Sequence, residues 1–362
     1  MNRLVVKYGS EPKNMTREAL DAIAAAATID CKARIGIKPN LVVDRPAALG
    51  ATTSAEVVAG IIEYLQDAGC RNIVVLESSS IGHSTARAFS VCGYDNLASR
   101  YGVKLMDLKH DKATAVTAAG LNFTVCQTAL GLDYLINVPV LKAHCQTNLT
   151  CALKNLKGCI PDREKRRFHS LGLHRPIAAL NVAVKTDLVV VDGMCGDLTF
   201  EEGGNPVPMN RVIAGFDPVL VDAYAAELIG LDSKAIEYIT LAEQFGVGSS
   251  NLDKAEIVEL GAEERPQVAT LASPLARQLS QYIDARSACS ICYGSLVHAL
   301  ARLKEERLLN RLPEKIKIGQ EFRGRKEKGI GIGACTAGLS FNLPGCPPKA
   351  KDIVEFLRAY VS

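Results

Sequence analysis

The first 260 residues alternate two kinds of apolar pattern. Short apolar runs, RLVVKY (3–8), RIGIK (34–38), NIVVLE (72–77), KLMDL (104–108), DYLINV (133–138), DLVVVD (187–192), RVIAGF (211–216) and AEIVEL (255–260), read as buried strands. Between them, segments over 17–29, 54–69, 84–92, 218–230 and 233–245 read as helices, and Gly69 is a C-cap for the second. Residues 113–126 suit an antiparallel hairpin. The alternation predicts an α/β fold, a large mostly parallel sheet with helices on both faces.

The pattern changes near residue 262. Residues 263–286 read as a linker running into a helix. Residues 287–362 read as a small α/β, Cys-rich domain, with an amphipathic helix over about 293–310, two glycine-flanked β runs (KIKIG, GIGIG), a Gly/Pro/Cys loop and a closing helix over 349–360. A segment this short needs a staple to supplement its core. The expected organisation is a large α/β domain over 1–262, a linker, and a stapled domain over 287–362.

Composition sharpens this picture. With 48% hydrophobic and 22% charged residues, the 362-residue chain has the balance of a folded protein. A net charge of +3 leaves no bulk attraction for polyanions, and the absence of Trp argues against a base-stacking nucleic-acid platform. No apolar stretch is long enough for a transmembrane helix or a signal peptide, so the expectation is a cytoplasmic protein without a membrane partner. In that compartment the 12 cysteines are not a disulfide framework, and some should hold metal.

The strongest chemical pattern is Cys289-x-x-Cys292, then Cys335 in GACTAG, then Cys346 in PGCPP. Four thiolates suit an iron–sulfur cluster or tetrahedral zinc. Cys289 and Cys292 precede a helix whose N-terminal N–H groups favour negative charge, and Cys335 and Cys346 lie in Gly-rich backbone that can approach a bulky group. A zinc knuckle more often pairs two CxxC units. The expected cofactor is therefore a [4Fe–4S] cluster, with zinc as the alternative. The three motifs resemble the [4Fe–4S] ligand pattern of the small subunits of nickel–iron hydrogenases and of NADH:quinone oxidoreductase, and that resemblance implies cluster ligation only. Cys145, Cys151 and Cys159 match no common ligand spacing, and Cys31, Cys70, Cys92, Cys126 and Cys195 read as core thiols.

A second pattern is local charge. From Lys142 to Arg175 there are eight Lys/Arg against two acids. Such a run is usually a solvated face, but Lys142, His144, Lys154, Asn155, Lys157 and His169 stand among Gly, Thr and apolar residues. Other polar residues follow predicted strands: Lys38 and Asn40, Ser78, and Asp192. Ligands of open α/β sheets bind at the carboxyl ends of the strands, so these residues predict a crevice for a small anionic ligand or an acidic electron carrier. Asp192, Asp217 and Asp222 could balance the charge, hold a metal or act as a base, although Phe-Asp-Pro before a helix makes Asp217 a good N-cap. The run GIGIGA holds GxGxxA but precedes no clear helix, and no P-loop occurs.

KPN at 38–40, NVPVLKAH, TNLTCALKNLKG, VVDG and GFDPVLVDAYAAELIG together resemble domain-of-unknown-function family number 362, over about residues 1–250. The resemblance implies no particular reaction, but its members are often coupled to iron–sulfur domains. The reading of the whole is an iron–sulfur protein, redox or electron-transfer linked, with an anionic ligand or acidic partner at the α/β domain. The alternatives are a non-enzymatic assembly or regulatory protein with a structural or sensing cluster, and a non-redox enzyme with an open iron site.

Overall fold

In the computed structural model, residues 2–198, 202–266 and 278–361 are described. The chain divides into two compact units, Met1–Lys165 with His174–Leu271, and Arg166–Leu173 with Ala272–Ser362.

The larger unit begins with β1 (Arg3–Tyr8), α1 (Pro12–Ala22), β2 (Ile35–Pro39), α2 (Ala55–Asp67) and β3 (Ile73–Glu77). It continues through α3 (Thr85–Val91), α4 (Tyr94–Tyr101), β4 (Lys104–Asp107), the hairpin β5 (Ala113–Ala118) and β6 (Leu121–Cys126), α5 (Gln127–Leu130) and β7 (Tyr134–Val138). A short hairpin, β8 (Lys142–His144) and β9 (Asn148–Thr150), leads into α6 (Ala152–Asn155), α7 (Asp162–Ser170), which groups with the smaller unit from Arg166 on, and α8 (His174–Ala183). The long strands β10 (Leu188–Asp197) and β11 (Pro206–Gly215), then α9 (Pro218–Leu228), α10 (Glu237–Gln244) and β12 (Glu256–Leu260), complete it.

Eight strands form one sheet in the order β12-β1-β11-β10-β7-β2-β3-β4. Strand β11 runs antiparallel to both neighbours, and every other pairing is parallel. The mostly parallel sheet expected from the apolar runs is therefore present. Strands β2 and β7 are buried at every position, as a sheet covered on both faces requires. From β2 the chain moves outward to β3 and β4, then returns to β7 on the other side of β2. The strand order thus reverses between β2 and β7, and this is where open α/β sheets open a crevice.

Several expectations are corrected. The helix expected over 17–29 begins at Pro12, whose fixed φ suits the first helical turn, and ends before Ala24, which is left-handed at φ 56°. The helix expected over 233–245 is split into a 3₁₀ turn at Ser233–Ala235 and α10. Cys31 and Cys70, expected as separate core thiols, are joined in a disulfide with Cα atoms 4.2 Å apart. The hairpin over 113–126 is present, Ala113 pairing with Cys126 and Ala118 with Leu121.

In the smaller unit, β13 (Ile283–Ala285), β14 (Ile316–Ile318), β15 (Glu327–Ile332) and β16 (Leu339–Leu343) form a parallel sheet in that order, with α11 (Ser290–Glu305) and α12 (Ala350–Val361). Strand β13 falls within the stretch expected as a linker and helix, and residues 267–277 of that stretch lie outside the described residues. Strand β16 was not expected from the sequence. Among the described residues no helix is long and apolar enough to cross a membrane.

Candidate functional site

Lys38 stands at the end of β2, at the reversal of strand order, and is fully buried. Its ammonium donates to Glu77 Oε2 at 2.8 Å, Pro39 O at 2.7 Å and Asn155 Oδ1 at 3.3 Å. Glu77 ends the adjacent strand β3, and its carboxylate also accepts from the backbone N–H groups of Leu41 and Ser78. Asn155, on α6, donates to Lys38 O and to Asn137 Oδ1 of β7, and Asn137 donates to Ala152 O. One hydrogen-bonded chain thus crosses three neighbouring strands, which makes an otherwise costly buried ion pair tolerable.

A second buried amine was missed by the sequence reading. Lys165, on α7, donates to Ser78 O at 2.9 Å, Ser78 Oγ at 2.5 Å, Ser79 O at 2.8 Å and Asp162 Oδ1 at 3.2 Å. Burial pushes its pKa down from 10.5 to about 8 against the pull of Asp162. Asp162 also takes Lys109 at 2.9 Å. Lys165 lies within DREKRR, where nothing separates it from its solvated neighbours. Only its position one helical turn after Asp162, beyond the Pro161 that starts the helix, could have marked it.

The other expected residues divide. Lys142 is buried on β8 and donates to Ala51 O at 2.6 Å, and Lys154 is buried and donates to Thr150 Oγ1 at 3.0 Å. His144 accepts from Gln146 N and Thr147 N through Nδ1. Asn40 donates its backbone N–H to Thr53 Oγ1 at 2.7 Å, and its buried Oδ1 has no hydrogen-bond partner among the described residues. Lys157 is half-buried in the turn after α6. His169 falls in the stretch Arg166–Leu173, which groups with the smaller unit.

The three aspartates hold backbone. Asp192, at the bend of β10, accepts from Ser54 N at 2.7 Å, where α2 begins, and from Met194 N at 3.0 Å. Burial lifts its pKa to about 6. Asp222 accepts from Ala152 N at 2.6 Å and Leu153 N at 3.2 Å, so it caps α6 from below, and burial lifts it to about 7. Asp217 caps α9 through Val219 N and Leu220 N, and its other oxygen takes Ser249 N. Its carboxylate therefore caps the start of α9 and ties it to Ser249. Cys159 is buried, and that burial raises its thiol to about 12.

The four cysteines of the smaller unit sit on three chain segments. Cys289 is the N-cap of α11, and Cys292 lies in its first turn. Cys335 sits in a 3₁₀ turn entered through Gly333 at φ 101°, and Cys346 is exposed in the loop after β16. Gly333 N donates to Leu343 O and Ala334 N to Gly345 O, both at 2.8 Å, which ties the Cys335 turn to the Cys346 loop. Asn342 reinforces the tie by donating to Thr336 Oγ1 and Gly333 O. The turn at 320–323 reaches across: Gln320 Nε2 is 3.8 Å from Cys289 Sγ, and Arg323 Nη2 is 3.5 Å from Cys335 Sγ. The Cys335 sulfur, and then the charges of Cys346 and Cys289, raise the Arg323 pKa. Among the described residues no group of three or more His, Cys, Asp or Glu side chains is placed to hold a metal ion.

A sequence profile described as a domain of unknown function, DUF362, matches residues 35–227, more than half of the chain. The chain belongs to the DUF362 family. The matched span is narrower than residues 1–250. It takes in the Lys38–Glu77–Asn155 network and all three aspartates, and it ends before the four cysteines. The DUF362 chain is 24% identical over 221 residues to the thylakoid-associated protein sll1697 of Synechocystis, covering 59% of this chain and 68% of that one. Lactate racemase apoprotein from Thermoanaerobacterium thermosaccharolyticum aligns at a TM-score of 0.39 and 10% identity, over 59% of this chain and about half, 54%, of that protein's length.

Proposed function

We propose that this DUF362 protein is a cytoplasmic iron–sulfur protein. Cys289, Cys292, Cys335 and Cys346 would hold one [4Fe–4S] cluster, and the α/β unit would take a small anionic ligand or an acidic electron carrier at the carboxyl ends of its strands. The observation that carries the reading is the turn at 320–323. It lies against sulfurs from two separate segments, Cys289 and Cys335. The donor types suit a cluster: four thiols, two at a helix N-terminus, two in Gly-rich backbone that can donate N–H groups to sulfur. The four would have to draw together around it, since they are not gathered into a metal-holding group among the described residues. The ligand reading rests on position, since Lys38, Lys142, Lys154 and Lys165 are buried lysines on segments that leave the strand ends.

Anaerobic purification followed by measurement of iron, acid-labile sulfide and zinc tests this directly. About four irons and four sulfides per chain, with an EPR signal after dithionite, are expected for a reducible cluster. One zinc without sulfide would replace it with a structural metal. Iron and sulfide that cannot be reduced at accessible potentials would favour the assembly or regulatory reading.

A further inference from the structure

Arg211 is fully buried in β11, yet its charge is poorly met. Its Nε donates to Met209 O at 2.8 Å, while Nη1 and Nη2 have no hydrogen-bond partner among the described residues. The guanidinium lies 5.1 Å from the centre of the Tyr8 ring. A π face is a weak counterpart for a desolvated cation, and burial is the main influence disfavouring the charge here.

A second guanidinium stands nearby. Tyr8 and Gly193 flank Arg211 in register on β1 and β10. Arg265 lies 5.8 Å from the same Tyr8 ring, with its side chain half exposed. The carboxylate that favours the Arg211 charge, Glu259, accepts from the Tyr8 hydroxyl at 2.5 Å and pairs with Arg265 at 3.2 Å. Asp192, next to Gly193, is taken by Ser54 N and Met194 N. Glu259 is therefore already engaged, and neither Nη1 nor Nη2 of Arg211 has a hydrogen-bonded carboxylate among the described residues. Gly193 is part of the arrangement, because a Cβ there would lie 2.8 Å from Arg211 Cγ and push the stem off β10.

We propose that Arg211 is the floor of a small-oxyanion site, taking one carboxylate or phosphate group on Nη1 and Nη2, with Arg265 as the half-exposed side chain that admits and covers it. The planar fork of Arg presents two parallel donors to such a group, and one bound anion balances the local charge. This site stands on strands β1 and β11, apart from the Lys38 network on β2, β3 and β7.

The test follows the unfolding midpoint of the full chain against inorganic phosphate and against acetate, at fixed ionic strength with chloride as the baseline. A saturable rise with at least one oxyanion is expected, and which one acts tells phosphate from carboxylate. Arg211→Met should abolish the rise and be no less stable than the wild type in chloride, since it removes an unbalanced buried charge. Arg265→Ala should raise the half-saturating concentration about tenfold. If Arg211→Met fails to fold, Arg211→Lys keeps the charge without the fork and should weaken the response at least as much. No saturable rise in the wild type, or a response unchanged in the Arg211 variants, overturns the site. A rise that survives in Arg211→Met and is lost in Lys154→Ala assigns the anion to the strand-end crevice and equally overturns it.

Discussion

Gly158 lies directly against Glu77: a side chain on Gly158 would collide with Glu77 Oε1 and come within 2.6 Å of Lys38 Nζ. The Lys38–Glu77 pair is fully enclosed, so neither partner can swing into water to make room. Gly158→Ala should therefore destabilise the chain by about 3 kcal/mol or more, from overpacking and loss of the pair's geometry. Lys38→Met alone should cost a similar ~3–5 kcal/mol by stranding Glu77, and Lys38→Met with Glu77→Gln should recover part of it. Urea unfolding of the wild type, Gly158→Ala, Lys38→Met, Glu77→Gln and the double variant measures both, and additive single effects would show that the pair is not coupled.

Lys165 gives the chain an alkaline signature. Its folded pKa is about 8 against an ordinary 10.5, so between these values the unfolded chain binds more protons than the folded one. Stability should rise with pH across that window, by about 3 kcal/mol at most. Lys165→Met should remove the rise. Chemical denaturation of both proteins from pH 7 to 10.5 checks it, and parallel curves would place the amine's titration elsewhere.

Asp192 and Asp222 work in the opposite pH range. Asp192 holds a proton up to about pH 6 and Asp222 up to about 7, whereas both ordinarily release it near 3.8. The folded state binds more protons in between, so stability should fall as pH rises from 3.8 through 6 and 7. Asp192→Asn should flatten the lower part of this fall. Asp192→Ala should also leave Ser54 N and Met194 N without their acceptor, at roughly 1–3 kcal/mol for each buried donor. Stability measured from pH 4 to 8 separates the two effects.

The turn at 320–323 makes the cysteine reading testable apart from metal content. Arg323→Gln removes a cation and a donor 3.5 Å from Cys335 Sγ. With a cluster bound, its reduction potential should move to more negative values, because lost positive charge and lost hydrogen bonding disfavour the added electron. Redox titration followed by EPR reads the shift. Cys346→Ser should abolish cluster loading, and an unchanged iron and sulfide content would remove Cys346 from the ligand set.

The sequence made the frame of the larger unit legible because its strands are short apolar runs buried on both faces, as β2 and β7 are. The N-cap at Asp217 was equally readable, since the oxygen, the following Pro and the helix are contiguous. What escaped depends on residues brought together from afar. The antiparallel setting of β11 leaves no trace in its own composition. Lys165 is indistinguishable from its charged neighbours until Ser78 and Ser79 are brought up to it, and Cys31 and Cys70 pair across 39 residues. In the smaller unit β16 alternates poorly, with Ser340 and Phe341 exposed, so its pairing with β15 is set by the Gly333–Leu343 contact rather than by an apolar face.

Strand β1 lies between β11 and β12, with Leu4 opposite Gly215 on one side and Ile257 on the other. On a ribosome, β1 must therefore wait until about 200 further residues have been added before either neighbour exists. At ordinary elongation rates that wait is roughly 10–40 s. Throughout it, the apolar run Leu4-Val5-Val6 has two open edges and no sheet to join. The larger unit thus cannot close strand by strand as it is synthesised, and β1 is the segment a chaperone would have most reason to hold.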